Sequence, residues 1–224
     1  MASTRIAVVS LFPLVLLSAT WATEDICANV KVTPKMTSSA SGRWYLIASK
    51  KQEMLDNEKI KSMMPKCGGI NNALPCSCTV FDIKSNVSEM VPEYNVTSLS
   101  YNMTSEKYDT MPFTMRLAEN TSNTAIFDAT PQEVGEKRII KYLASDNHQT
   151  FMLWLICSVS GEGLDLWFLS RTVNATNESM EEVNKALKNN NLTMSLLFPV
   201  IQTNCVYAPG PGVKTRQTDK YRVF

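Results

Sequence analysis

The sequence predicts an all-β fold: an eight-stranded antiparallel up-and-down barrel with one C-terminal α-helix packed outside it and a short final strand. Two patterns carry that expectation. From residue 43 to residue 172 the chain falls into short alternating or β-rich segments, separated by clusters of Gly, Pro, Asn, Asp and Ser. Beyond residue 172 the apolar spacing changes once, from a period of two to that of a helix. Short strands joined by tight turns form a meander, and eight of them can close into a barrel that leaves no exposed edge.

Residues 1–22 stand apart from this unit. Residues 1–5 hold one positive charge, residues 6–17 are apolar, and the small residues Thr20 and Ala22 suit cleavage before Thr23. This is the pattern of a secretory signal peptide, and its apolar run is too short to cross a bilayer as a helix. No second such run follows, so no integral membrane segment is expected. Residues 23–205 are expected to form one domain and residues 206–224, with Pro209-Gly210-Pro211-Gly212, a flexible tail.

The bulk chemistry narrows the function classes. The chain has 22 Lys and Arg against 21 Asp and Glu, and Arg5 is the one charge in residues 1–22, so the mature protein is formally neutral. Nothing in that balance steers it to nucleic acid or an anionic membrane. The six cysteines, Cys27, Cys67, Cys76, Cys78, Cys157 and Cys205, all follow residue 22, and an even number in an exported chain points to three disulfides. A zinc site on Cys67, Cys76 and Cys78 is the rival reading, but no histidine is near and the spacing fits no familiar finger. Seven N-x-S/T sequons, at Asn86, Asn95, Asn102, Asn120, Asn174, Asn177 and Asn191, favour a glycoprotein.

Taken in order, the elements are these. Residues 23–40 form a polar lead-in with Cys27, and Pro34 opposes helix. Residues 41–50 open the barrel: Gly42 lets the backbone turn, and Trp44, Leu46 and Ala48 can share one face of a strand. Residues 51–75 form a connection of a length usual for a functional lid or a disordered segment, and its Met54, Leu55, Ile60, Met63 and Met64 supply adaptable apolar surface. Seven more strands are expected at 76–84, 93–103, 112–119, 124–130, 137–145, 149–159 and 164–172. A capping-box pattern at Ser179–Glu182 then opens a helix with Met180, Val183, Ala186 and Leu187 on one face, stopped by Asn189-Asn190-Asn191. An extended run at 194–203 leads to Cys205.

The chemistry of catalysis is not visible. There is no H-E-x-x-H, no G-x-S-x-G and no phosphate-cradling glycine loop. The only histidine, His148, falls in a tight turn, where a solvated side chain with no orienting partner is expected and nucleophilic catalysis through it is not. No enzymatic activity, metal or cofactor is expected.

Three short motifs carry a family resemblance over nearly all of the mature length. Gly42-Arg43-Trp44-Tyr45 with Ala48, Ala144-Ser145-Asp146-Asn147 between the sixth and seventh strands, and Trp167-Phe168-Leu169-Ser170-Arg171 on the eighth occur in that order before the helix. The chain resembles a lipocalin, with the flavour of the arthropod bilin-binding and apolipoprotein D-like branch. At the second strand it departs from those relatives, having Thr79 and Phe81 where they tend to have alanine and tyrosine. The resemblance implies disulfides Cys27–Cys157 and Cys76–Cys205, leaving Cys67 with Cys78; Cys78–Cys205 with Cys67–Cys76 stays open.

The resemblance also implies a closed floor and an open mouth. Gly42, Trp44 and Arg171 would build the floor, with a cation–π contact between the last two. If Cys157 bonds to the lead-in outside the barrel, Met152, Trp154, Ile156 and Ser158 face inward. The lining is then expected at Leu46, Phe113, Met115, Ile140, Tyr142, Trp154, Ile156 and Trp167. Arg138 and Asp165 share the inward parity near the mouth, either as solvated rim groups or as recognition groups for a carboxylate and an amine. The expected function is a secreted, glycosylated carrier or scavenger of one small hydrophobic molecule, such as a pigment, lipid, fatty acid or retinoid-like compound. The alternative is an extracellular interaction or defence protein that meets a protein or cell-surface partner through its outer surface and loops.

Overall fold

The computed structural model describes residues 27–32, 38–50, 77–86, 93–102, 107–118, 125–131, 137–159 and 164–203, with Cys205 and Tyr207. The expected signal peptide, the long connection, Cys67, Cys76, Asn120 and residues 208–224 lie outside them.

Eight strands run in sequence: β1 (Gly42–Lys50), β2 (Ser77–Asn86), β3 (Glu93–Asn102), β4 (Lys107–Leu117), β5 (Ile126–Pro131), β6 (Arg138–Ser145), β7 (Phe151–Ser158) and β8 (Leu164–Ser170). Each pairs antiparallel with the next, and β1 pairs with both β8 and β2, which closes the barrel. One helix, α1 (Asn177–Asn189), follows, and a short strand β9 (Leu197–Pro199) adds to β1 on the outside.

Period-two alternation sorts the side chains into two cores. Inside are Trp44 and Leu46 of β1, Phe81 and Ile83 of β2, Tyr94, Val96, Phe113, Met115, Phe127, Ile140, Tyr142, Met152, Trp154, Ile156 and Leu169. Outside, Leu143, Phe151, Leu153, Leu155, Leu166 and Phe168 bury Val183, Ala186 and Leu187 of α1. β7 is buried along nearly its whole length because it serves both cores.

Several expectations shift. Ala48 belongs to the outer core, because a bulge between Leu46 and Ala48 moves the strand by one residue and reverses its parity. β4 starts at Lys107 and takes Pro112 into its middle, opposite Thr97. α1 starts two residues before the expected box: Thr176 is its cap, and its Oγ1 accepts from the Ser179 N–H at 3.1 Å. Ser179 is therefore buried and Met180, expected on the apolar face, is 38% exposed.

Two disulfides fasten the chain to the barrel. Cys27 bonds Cys157 on the outer face of β7, and Cys205 bonds Cys78 on β2. The second corrects the expected Cys76–Cys205 pairing. β2 is bulged between Ser77 and Val80, and Cys78 sits at φ 53°, the left-handed region, so the backbone twist there presents its side chain to Cys205 while Thr79 faces Ser100 within the sheet.

Candidate functional site

At the closed end the indole of Trp44 donates to the Ala40 carbonyl at 2.7 Å, and the Arg171 guanidinium lies 3.6 Å over its ring. Arg171 also donates to the carbonyls of Ser39, Ser41, Arg43 and His148 at 2.6–3.3 Å. Gly42 is at φ +111°, and a Cβ there would stand 2.9 Å from Arg171 Nη1, so glycine is needed twice over, for its backbone angle and for the approach of the guanidinium. The three residues expected to form the floor come together there.

His148 corrects the sequence reading. It is 1% exposed, with its ring edge-on to Tyr142 at 5.7 Å. Asn147 and His148 both adopt positive φ, and this pair of left-handed residues folds the imidazole back under the barrel. Asp146 anchors the turn by accepting from the backbone of Gln149, Thr150 and Phe151. Burial, then the charge of Arg171, pushes His148 down to about 4, so it is neutral at physiological pH.

Above the floor a chain of aromatic side chains crosses the interior. Tyr94 meets Phe127, Phe127 meets Tyr142, Tyr142 meets Trp154, and Trp154 and Trp167 both meet Phe81, with ring centroids 4.8–6.1 Å apart. All eight expected lining residues lie in or against this inner core. Beyond the eight expected residues, Phe81, Ile83, Tyr94, Val96 and Phe127 also belong to this core. The parity of Phe81 and Ile83 follows from their register with Trp44 and Gly42, which the strand spacing alone does not supply.

Two polar features interrupt the apolar wall. The Trp154 indole N–H is buried with no hydrogen-bond acceptor among the described residues; beside it, burial holds the Tyr142 hydroxyl's pKa well above its ordinary value, so it stays protonated. Asp165 stands opposite Ile156, one step along β8 from Trp167 on the same face. Its Oδ1 accepts from the Leu166 N–H at 2.8 Å and its Oδ2 from the Trp167 indole at 2.7 Å. Burial raises its pKa to about 6, against the pull of those two bonds and of the charges on Lys50 and Arg138. Arg138 is half-buried at the start of β6, opposite Ser158.

No protein-family model and no curated protein sequence matches the chain. Solved structures do. The tryptamine complex of the amine-binding protein of Rhodnius prolixus superposes with a TM-score of 0.55 at 15% identity, covering 76% of this chain and 84% of that one. This is a lipocalin fold. Lobster apocrustacyanin A1 matches at a TM-score of 0.53 and 12% identity, covering 73% of this chain and 78% of its own. The cockroach allergen Per a 4 matches at 0.54 and 16%, covering 78% and 93%. The Trp44–Arg171 contact lies at one end of the barrel, and Asp165 and Arg138 lie at the other.

Of the sequons, Asn86, Asn95, Asn174, Asn177 and Asn191 have exposed side chains. Among the described residues no group of His, Cys, Asp and Glu is arranged to hold a metal, and no helix is long and apolar enough to cross a membrane.

Proposed function

We propose that this protein is an exported, glycosylated lipocalin-fold protein that carries or sequesters one small molecule with an apolar, flat body and a basic group. The observation that carries the reading is the Asp165 carboxylate, bonded to the Trp167 indole on the inward face of β8 opposite Ile156, with its pKa raised to about 6 by burial. A half-buried carboxylate at this end of the barrel is a handle for a cationic ligand group, since removing its charged form from water has a cost that an ammonium would offset. A protonated amine would pair with the carboxylate, the indole and phenyl faces would take the flat body, and an acceptor on the ligand would meet the Trp154 N–H. The Rhodnius neighbour, described as an amine-binding protein in complex with tryptamine, supports the choice of class. Two disulfides among the described residues suit an oxidising, extracytoplasmic compartment.

The alternative, an interaction protein acting through its outer surface and loops, draws support from the mutual contact of Phe81, Phe127, Tyr142 and Trp154, which occupies much of the interior. The two readings separate in one titration. Binding of 2-(2-naphthyl)ethylamine and of 2-ethylnaphthalene is followed by quenching of tryptophan fluorescence. Both should bind, the amine about tenfold or more tighter, a difference of about 1.4 kcal/mol. Asp165→Asn should erase that preference without affecting the hydrocarbon, and Trp154→Ala should weaken both. Refusal of both probes by the folded protein would leave the surface reading standing.

The preference should also depend on pH. Below about 6 the Asp165 carboxyl takes up a proton and loses its attraction for an ammonium, so amine affinity should fall between pH 7.5 and pH 4.5 while hydrocarbon affinity stays level.

A further inference from the structure

The barrel wall is not continuous. β1 and β2 pair from Gly42 opposite Ile83 to Tyr45 opposite Val80 and no further, although β1 runs on to Lys50 and β2 starts at Ser77. By contrast, β3 and β4 pair along their whole length, from Glu93 opposite Arg116 to Asn102 opposite Lys107. The gap is filled by the chain after α1. Gln202 does this most directly: its side-chain amide donates to the Leu46 carbonyl at 2.7 Å and to the Thr79 carbonyl at 3.0 Å, so one carboxamide takes the place of the next rung between the strands. The Val200 N–H donates to the Ile47 carbonyl at 2.8 Å, and the Cys78 N–H to the Ile201 carbonyl at 2.7 Å.

Val200 is buried and packs with the inner core, whereas its neighbours Pro199 and Ile201 are exposed. It is a residue of the inner wall contributed from outside the eight strands. The segment that carries it is held from both sides of the gap, by β1 and by β2. Pro199 faces Ala48 in the short β1–β9 ladder and has no N–H to give. Tyr207 stacks edge-on to Tyr45 at 5.2 Å and its hydroxyl bonds Gln202 Oε1. The one covalent tie is Cys78–Cys205, which joins the far side of the gap to the end of the segment.

We infer that the stretch from Leu197 to Thr203 is a separable stave of the barrel: Val200 forms part of the ligand chamber's wall, and the β1–β2 gap that the stave covers is the route by which ligand enters and leaves. The inference rests on the ligand-binding reading for its consequence and on the gap geometry for its existence, and the two can be tested apart. A stave that opens as a unit exposes the amides of Val200 and Cys78 together, while the amides of β7 stay protected.

Hydrogen exchange on the wild-type protein tests the opening without any ligand. The amides of Val200 and Cys78 should exchange at a common rate, about 100-fold or more faster than those of Leu153 and Leu155. Exchange as slow as in β7 overturns the proposal. Stopped-flow binding of N-phenyl-1-naphthylamine tests the route. In the Cys78→Ser/Cys205→Ser double variant, association and dissociation should both accelerate about tenfold, with Kd changed by less than about threefold, because a lower barrier leaves the end states alone. Gln202→Ala, which keeps the disulfide, should shift both rates the same way and serves if the double variant does not fold. Val200→Trp should instead weaken equilibrium binding. A wild-type protein that binds the probe, with rates unmoved in a folded variant, overturns the route and points to entry at the mouth. A wild-type protein that binds nothing, with the fast paired exchange observed, overturns the ligand reading and the route while the separable stave stands.

Discussion

Burial moves two side chains at opposite ends of the barrel into one pH window, with opposite consequences for stability. His148 has its folded pKa depressed to about 4 from an ordinary 6.5, first by burial and then by Arg171. Between those values the unfolded chain takes up a proton that the folded chain refuses, so stability drops as pH falls from 6.5 through 4. Asp165 is raised by burial from 3.8 to about 6. Between those values the folded chain keeps a proton the unfolded chain has lost, so stability drops as pH rises from 3.8 through 6. The two effects offset each other over their common range. Asp165→Asn removes one of them, and its melting temperature should therefore fall more steeply than wild type between pH 6.5 and pH 4. An unchanged slope in thermal melts would contradict this assignment. At the floor, Gly42→Ala has to adopt a positive φ and push back the Arg171 guanidinium, and should cost about 1–3 kcal/mol in denaturant unfolding.

Among the elements, α1 depends on the barrel more than on its own sequence. Its buried stripe of Val183, Ala186 and Leu187 lies against Leu143, Leu153 and Leu155, so Leu187→Ala should destabilise the whole protein by about 2–5 kcal/mol, measured by urea unfolding. Met180→Ala, at an exposed position, should change stability by less than about 0.5 kcal/mol. How far such placements can be read in advance depends on whether the period is interrupted. On β7 and β8, where alternation is unbroken, the faces of Trp154, Cys157, Trp167 and Phe168 are legible from residue spacing. On β1 and β2 a bulge intervenes, and Ala48 and Cys78 fall where spacing does not place them. His148 is hidden for a related reason: two successive positive φ angles reverse the direction its side chain takes from the turn. The start of α1 is ambiguous because Thr176 and Ser179 are both competent caps, and burial of Ser179 decides between them.

For the whole molecule, the disulfides bind distant parts of the chain. Cys27–Cys157 and Cys78–Cys205 join residues 130 and 127 apart in sequence. Loops of that size constrain the unfolded chain strongly, so removing Cys27–Cys157 by Cys27→Ser/Cys157→Ser should cost about 2–5 kcal/mol. The barrel itself is legible in the sequence because strand count, turn spacing and the single change to helical period agree. The polar handles of the interior are less so. The inward parity of Asp165 and Arg138 can be read from residue spacing, and the bond from Trp167 to Asp165 is local to β8, but the surroundings of the Trp154 N–H are set only once neighbouring strands are in register. The role of Gln202 has no local signature, since it bridges carbonyls 156 and 123 residues away in the chain.

That connectivity has a temporal side. A ribosome delivers the chain from its first residue, and β2 through β7 each find a neighbour as soon as the next strand emerges. β1 finds β2 only from Gly42 to Tyr45: beyond Tyr45 that edge waits for the segment that holds β9, and its other edge waits for β8. For more than a hundred residues of synthesis, the strand that starts the barrel is half-paired and exposes Leu46 and Ile47 on an unsatisfied edge. Cys27 can be oxidised correctly only after Cys157 has appeared, and Cys78 only when the chain is almost complete. The stave closes last, so chains truncated before Val200 should present an unfinished seam to whatever chaperones attend their folding.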